Sequence, residues 1–190
     1  MQAEGAPTMQ EEVVFGGETT VIQIPDGTPL DVPGGTRGWV MQVLGGNFTV
    51  RLETGHLVRV EGRDAEVIGR EPPEGPQLGH GADGKPLEIE EAVWVQLRTC
   101  FDPEIPVNIV DLGLVYGLDI QDGDEGKKKI SVTMTLTAPG CGMGQVLKDD
   151  VEAKVRELPG VSEALVDLTF DPPWTPERMS EEARLELGFY

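Results

Sequence analysis

The sequence predicts an α+β protein in two parts: a small N-terminal SH3-like β-barrel, then a compact α-β-β-α-β-α domain with a small mixed sheet. Three observations predict it. Before Arg70, short apolar runs are separated by glycine-containing turns; a stretch dense in proline and glycine follows; beyond it, apolar residues recur at helical spacing and then at strand spacing. The boundaries that result are a flexible N-terminus over 1–12, a barrel over 13–71, a linker over 72–86 and an α+β domain over 87–190.

In the first part the runs are Thr20-Val-Ile-Gln-Ile24, Gly38-Trp-Val-Met-Gln-Val-Leu44, Phe48-Thr-Val-Arg-Leu52 and Leu57-Val-Arg-Val60. Between them stand Pro25-Asp-Gly27, Gly45-Gly-Asn47 and Gly55, which are turn chemistry. His56 sits beside Gly55 and reads as a solvated turn residue. The segment from Pro72 to Pro86 carries too much proline and glycine for a regular element, and His80 within it reads as exposed.

Ile89, Val93, Leu97 and Cys100 then recur every three or four residues, which predicts an amphipathic helix from Glu88 to Cys100 that ends before Asp102-Pro103. Cys100 falls on its apolar face, as a core residue would. Val115 to Ile120 and Ile130 to Leu136 read as strands. The second alternates strictly, with Ile130, Val132, Met134 and Leu136 inward and Ser131, Thr133 and Thr135 outward. Leu147, Val151, Val155 and Leu158 form a helical stripe stopped by Pro159-Gly160, and Val166, Leu168 and Phe170 alternate as a third strand. Thr175-Pro176 predicts the start of a last helix that runs through about Leu187, with Gly188 just past its end.

Composition narrows the function. Lys plus Arg is 15 against 34 Asp plus Glu, a formal charge of −19, and acidic residues dominate on both sides of Gly84. Such a surface repels a phosphate backbone, so nucleic acid is excluded as the expected partner. Neither a basic, apolar leader nor a run of membrane-spanning length is present in the sequence, which points to the cytoplasm and away from membranes. The two cysteines, Cys100 and Cys141, lie far apart with no C-x-x-C, so a disulfide framework is not expected.

The densest chemical signal is Thr137-Ala-Pro-Gly-Cys-Gly-Met-Gly144, between a strand and a helix. Thr137, Pro139, Gly140, Gly142, Met143 and Gly144 shape the loop, and the glycines leave the Cys141 backbone unobstructed. A helix start beside the thiol favours its anionic, reactive form. The alternative is a small residue in a tight turn, which the flanking glycines disfavour. A phosphate loop would end in Gly-Lys-Ser or Gly-Lys-Thr, whereas Gly144 precedes Gln145-Val146; the glycine spacing is not that of a dinucleotide fingerprint either. A second cluster, Asp102-Pro-Glu-Ile-Pro-Val-Asn-Ile-Val-Asp111, gathers the carboxylates of Asp102, Glu104 and Asp111 between fixed prolines. Capping and turn roles suit Asp102 and Asp111, and Glu104 is the better candidate for a ligand or acid/base role. Two Cys and two scattered His cannot close a four-ligand zinc site without carboxylates, and one thiolate cannot hold an iron–sulfur cluster, so any metal is shared, transient or completed by a partner.

Taken together, Asp102-Pro-Glu-Ile-Pro with Asp111-Leu-Gly-Leu-Val-Tyr116, the Cys141 loop, and the tail Asp171-Pro-Pro-Trp-Thr-Pro-Glu-Arg-Met-Ser180 resemble the PaaD-like/MIP18 domain. The segment from Val21-Ile-Gln-Ile-Pro-Asp-Gly27 to Asp64-Ala65 is similar to the extra domain of SufT-type maturation factors for iron–sulfur proteins. The resemblance implies an accessory factor in iron–sulfur cluster assembly, a carrier or maturation adaptor rather than an enzyme. It also implies that Cys141 is the reactive thiol or metal ligand, with Asp102 and Glu104 nearby. No tightly bound cofactor is implied; iron or an iron–sulfur cluster would be held transiently, and the partners would be assembly proteins and client apo-proteins. Cys100 is additional to the family pattern, either a second ligand or core. Two other classes stay open: a thiol enzyme with Cys141 as nucleophile and Glu104 or Asp111 as base, and a pure interaction module. A homodimer would bring two Cys141 thiolates together, although nothing in the sequence requires one.

Overall fold

The computed structural model describes residues 11–73, 78–81, 83–102 and 104–189. The chain divides into two compact units, Met1–Ile24 with Thr28–Pro73, and Pro25–Gly27 with Glu74–Tyr190.

The first unit contains β1 (Glu11–Val14), β2 (Thr19–Ile24), β3 (Pro29–Val32), β4 (Arg37–Leu44), β5 (Asn47–Leu52) and β6 (Leu57–Val60), followed by a 3₁₀ segment, Gly62–Ile68. All pairings are antiparallel, in the order β1-β4-β5-β6-β2-β3. The β4–β5 hairpin turns on Gly45 and Gly46, both at positive φ (56° and 82°), as a two-residue loop matched to strand twist requires. Phe15, Val32, Val50, Val58 and Ala65 are almost wholly buried and belong to one apolar cluster.

The SH3-like barrel expected here is not closed among the described residues. β1 and β3 are the free ends of the strand order, so this is an open six-stranded sheet. The edge chemistry agrees with an open sheet: both strands are four residues long, β1 carries Glu11 and Glu12, and β3 carries Pro29 and Asp31. Charge and proline on an edge discourage further pairing. The flexible stretch expected over 1–12 lies outside the described residues except for Glu11 and Glu12, which open β1. In the expected linker, 74–77 and 82 lie outside the described residues. The rest of it includes a small bridged turn in which His80 pairs with Pro86, and the His80 ring Nδ1 lies 3.0 Å from the Leu78 carbonyl. His80 is therefore half-buried rather than exposed, while His56 is an exposed turn residue whose Nδ1 lies 2.9 Å from Thr54 Oγ1.

The second unit runs α1 (Ile89–Leu97), β7 (Val115–Asp122), β8 (Lys128–Met134), α2 (Gly144–Arg156), β9 (Val161–Leu168) and α3 (Glu181–Leu187). β8 is the central strand, antiparallel to β7 and parallel to β9, so the sheet is mixed. Ile130, Val132 and Met134 of β8, Leu147, Val151 and Val155 along α2, and Leu158 just past its end join the same buried cluster as Val93, Leu97 and Cys100. Each large aliphatic side chain buried this way contributes about 1.5–3 kcal/mol.

Three details depart from the expected pattern. Thr135 does not face outward: it is fully buried, with its N–H donating to the Leu114 carbonyl at 2.8 Å, because β8 ends at Met134 and the alternation ends with it. β9 stops at Leu168, which leaves Phe170 exposed beyond the strand. The last helix starts at Ser180, whose Oγ accepts from Ala183 N–H at 3.1 Å; Thr175-Pro176 begins only a single 3₁₀ turn. Met179 between them is buried and extended, so helix cannot run through it.

The tail before α3 is strapped to the turn that leads into β7. Trp174 Nε1–H donates to the Leu112 carbonyl at 2.8 Å, Tyr116 Oη–H to the Pro172 carbonyl at 2.9 Å, and Ser180 N–H to the Asp111 carbonyl at 2.8 Å. The Arg178 guanidinium lies 4.3 Å from the centroid of the Tyr116 ring. At the centre of this contact Gly113 has φ +70°, and a Cβ there would stand 2.1 Å from the Arg178 carbonyl oxygen. Gly113→Ala is therefore expected to cost about 2 kcal/mol or more, from backbone strain plus displacement of the tail. A lowered urea midpoint, followed by tryptophan fluorescence, checks this; an unchanged midpoint would show that the strap carries no stability.

Candidate functional site

The parallel pairing of β8 with β9 needs a crossover, and α2 supplies it. The connection from β8 into α2 is the Cys141 loop. Thr137 is half-buried, Ala138 to Gly140 are exposed, Cys141 is half-buried and packed against the edge of the main core, and Gly142 is exposed. Met143, expected only to shape the loop, is fully buried and occupies the N-cap position, so it anchors the loop. Gly144 begins α2, and a Cβ on it would stand 2.5 Å from Leu136 Cδ1, so the helix starts close against the end of β8. The Cys141 carbonyl accepts the Gly144 N–H at 3.0 Å.

No side chain caps α2, and its first turn contains no acidic residue, although the chain has 34 of them. The positive end of the helix dipole therefore has no carboxylate of its own to offset it. The Sγ of Cys141 makes no hydrogen bond among the described residues. Cys100 is buried in the α1 core with its Sγ 3.8 Å from the Gln96 carbonyl, so of the two thiols only Cys141 has surface.

The three candidate carboxylates have different environments. Asp102 is buried, and its Oδ1 accepts the Glu104 N–H at 2.9 Å. Burial pushes the Asp102 carboxyl above its ordinary range, and that hydrogen bond offsets only part of the effect. Asp111 is half-buried, and its Oδ2 accepts from Asn108 Nδ2 at 2.6 Å. Asn108 Oδ1 in turn accepts the N–H groups of Val110 and Asp111, both at 3.0 Å, which closes an Asx-type turn. Sequence reasoning passed over Asn108; its position three residues before Asp111 was the available signal. Glu104 is exposed, with no hydrogen bond or ion pair from its side chain among the described residues. No group of three or more His, Cys, Asp or Glu placed to hold a metal ion is found among the described residues, so the structure does not join Cys141 with these carboxylates into a ligand set.

The second unit is thus an α+β domain that offers one accessible thiol on a glycine-rich crossover loop, and it also contains a loop braced by carboxylate and amide contacts. The chain belongs to the iron–sulfur cluster assembly protein family, whose sequence model matches residues 90–166. An Fe-S protein maturation auxiliary factor of Porphyromonas gingivalis is 50% identical over 103 residues, which cover 54% of this chain and 94% of the relative. The Bacillus subtilis Fe-S protein maturation auxiliary factor YitW is 38% identical over 101 residues (53% and 94%), and SufT of Staphylococcus aureus is 41% identical over 87 residues (46% and 94%). Among solved structures, a crystal structure of the DUF59 domain of unknown function from Bacillus anthracis matches 54% of this chain and 93% of its own at 38% identity, with a TM-score of 0.46. Among the described residues no helix is long and apolar enough to cross a membrane.

Two predictions follow the site geometry. One alkylation-sensitive thiol is expected in the folded protein: Cys141→Ser abolishes labelling by iodoacetamide, and Cys100 labels only after denaturation, as peptide mass mapping would show. Because the Asp102 carboxyl is raised on folding, its neutral form is the one the fold favours. That contribution is complete below the ordinary value of 3.8 and is lost as pH rises through the folded value. Asp102→Asn keeps an acceptor for the Glu104 N–H, so the thermal midpoint should rise near neutral pH, with the gain shrinking in acid. A gain that is independent of pH would contradict the burial argument.

Proposed function

We propose that this protein is an accessory factor in iron–sulfur cluster assembly that acts as a carrier or maturation adaptor, with Cys141 as its working thiol. The observation that carries the reading is the contrast between the two cysteines: Cys141 is half-exposed on the crossover loop and Cys100 is sealed in the core. The family supports it, as do relatives named Fe-S protein maturation auxiliary factors. A Synechocystis protein named iron–sulfur cluster carrier protein is also 32% identical over 98 residues, covering 52% of this chain and 26% of that one.

A cluster usually takes about four protein ligands, and Cys141 supplies one. Held this incompletely, a cluster is open to exchange: a client thiolate forms an Fe–S bond, the Fe–Sγ bond to Cys141 breaks, and Cys141 leaves as a thiolate to be reprotonated by solvent. Thr137, Pro139, Gly140, Gly142, Met143 and Gly144 set the loop that presents the thiol. Asp102 and Asp111 brace their own loop, which leaves Glu104 as the carboxylate free to meet iron or a partner. The remaining ligands come from assembly proteins or client apo-proteins, in the cytoplasm.

Anaerobic reconstitution with ferrous iron and a sulfide source, in the presence of a small thiol, tests this for the native chain, Cys141→Ser and Cys100→Ser. The expected result is visible cluster absorption and bound iron in the native chain and in Cys100→Ser, both lost in Cys141→Ser. Equal iron uptake by all three would remove Cys141 from the role.

A further inference from the structure

Helix α1 buries one face in the core and leaves Trp94, which is partly packed against that core, and Val95 half-exposed on the other. Ala92, Val93, Gln96 and Leu97 are buried in the second unit's core. On the opposite side Glu91, Trp94, Val95 and Arg98 fall at i, i+3, i+4 and i+7, one stripe along the outer surface. Together with Leu87, Gly81 and Val110 they line an apolar groove of about 670 Å³. Trp94 and Val95 are only half-buried, and Glu91 and Arg98 are exposed at the two ends of the stripe. Neither charged side chain has an ion-pair partner among the described residues, and the Trp94 indole N–H has no hydrogen-bond acceptor there.

The order of the stripe is self-complementary. Its midpoint lies between Trp94 and Val95, with Glu91 and Arg98 equally far to either side. When two such helices pack antiparallel about a two-fold axis through that midpoint, Glu91 of each meets Arg98 of the other, and Trp94 of each meets Val95 of the other. Parallel packing would instead set Glu91 against Glu91 and Arg98 against Arg98. The charges therefore select both the partner and its direction, as an isologous contact requires.

We propose that the groove on α1 is the contact surface of a homodimer, occupied by the antiparallel α1 of a second copy of this chain. A helix of nine residues is about 13 Å long, short for an interface that commonly buries about 800 Å² per partner. Leu87 and Val110, which line the same groove, add to the apolar contact, and the dimer is a concentration-dependent one. The charge of −19 on each chain opposes association, and physiological salt screens that repulsion beyond about 8 Å while the facing pairs lie within it.

Sedimentation equilibrium on the full chain at physiological ionic strength tests the proposal with two charge reversals at exposed positions, Glu91→Arg and Arg98→Glu. The native mass should climb with concentration toward twice 20.6 kDa. Each reversal sets like charges against each other at both ends of the stripe, so each variant alone should stay at the mass of one chain. An equimolar mixture of the two variants restores opposite charges at both ends, and the two-chain mass should return. Circular dichroism identical to native confirms that the variants fold. A native chain that stays monomeric at its highest soluble concentration, a dimer that persists in either variant alone, or a mixture that fails to associate would each overturn the proposal.

Discussion

The parallel register between β8 and β9 is the constraint on which the site depends. Two parallel neighbours cannot be joined by a hairpin, so the chain must leave β8 at Met134, cross the sheet as α2 and return at Val161. Ile130, Val132 and Met134 fix β8 in the core, and Leu147, Val151 and Val155 fix α2 over it. What remains between those two anchored elements is a short loop at one end of the sheet, with Met143 buried as its foot and Gly144 against Leu136. Cys141 is held at the surface by the two elements that flank the loop. The thiol so placed is partly accessible, whereas that of Cys100 is not.

The loop from Asp102 to Asp111 is built on different physics. Asp102 is buried with one hydrogen bond to the Glu104 N–H, and Asp111 is tied to Asn108, so two of the three carboxylates organise backbone. Ser180 N–H reaches the Asp111 carbonyl, and Trp174 the Leu112 carbonyl, which makes the tail a brace for the same turn. Two sequence motifs that stand far apart in the chain thus serve one arrangement. Asp111-Leu-Gly-Leu-Val-Tyr116 and the Asp171–Ser180 tail support each other.

Much of this was legible in the residues. The strict alternation of Ile130, Val132 and Met134 and the stripe Leu147, Val151, Val155 both specify a buried face, and burial decided both elements. The Cys141 loop was legible because three glycines in five residues have little reason to surround a core cysteine. β1 and β3 were not, since Glu11-Glu-Val-Val14 and Pro29-Leu-Asp-Val32 are short, acidic or proline-bearing edges that local propensity demotes and only pairing with β4 and β2 stabilises. The start of α3 moved to Ser180 because Met179 is buried and the Ser180 N–H is taken by the Asp111 carbonyl, a contact no local pattern encodes. Barrel closure depends on whether the two edges meet, and the charge and proline that oppose pairing there have that meaning only once β1 and β3 are recognised as edges.

The central claim is that one chain contributes one thiolate, so that iron–sulfur cargo is always shared. Native mass spectrometry of the anaerobically loaded protein, with and without an apo-client, tests it most directly. The account predicts that every species carrying the mass of a cluster also contains a second thiol source: another chain, a small thiol or the client. A cluster bound to a single chain with no other thiol present would contradict it.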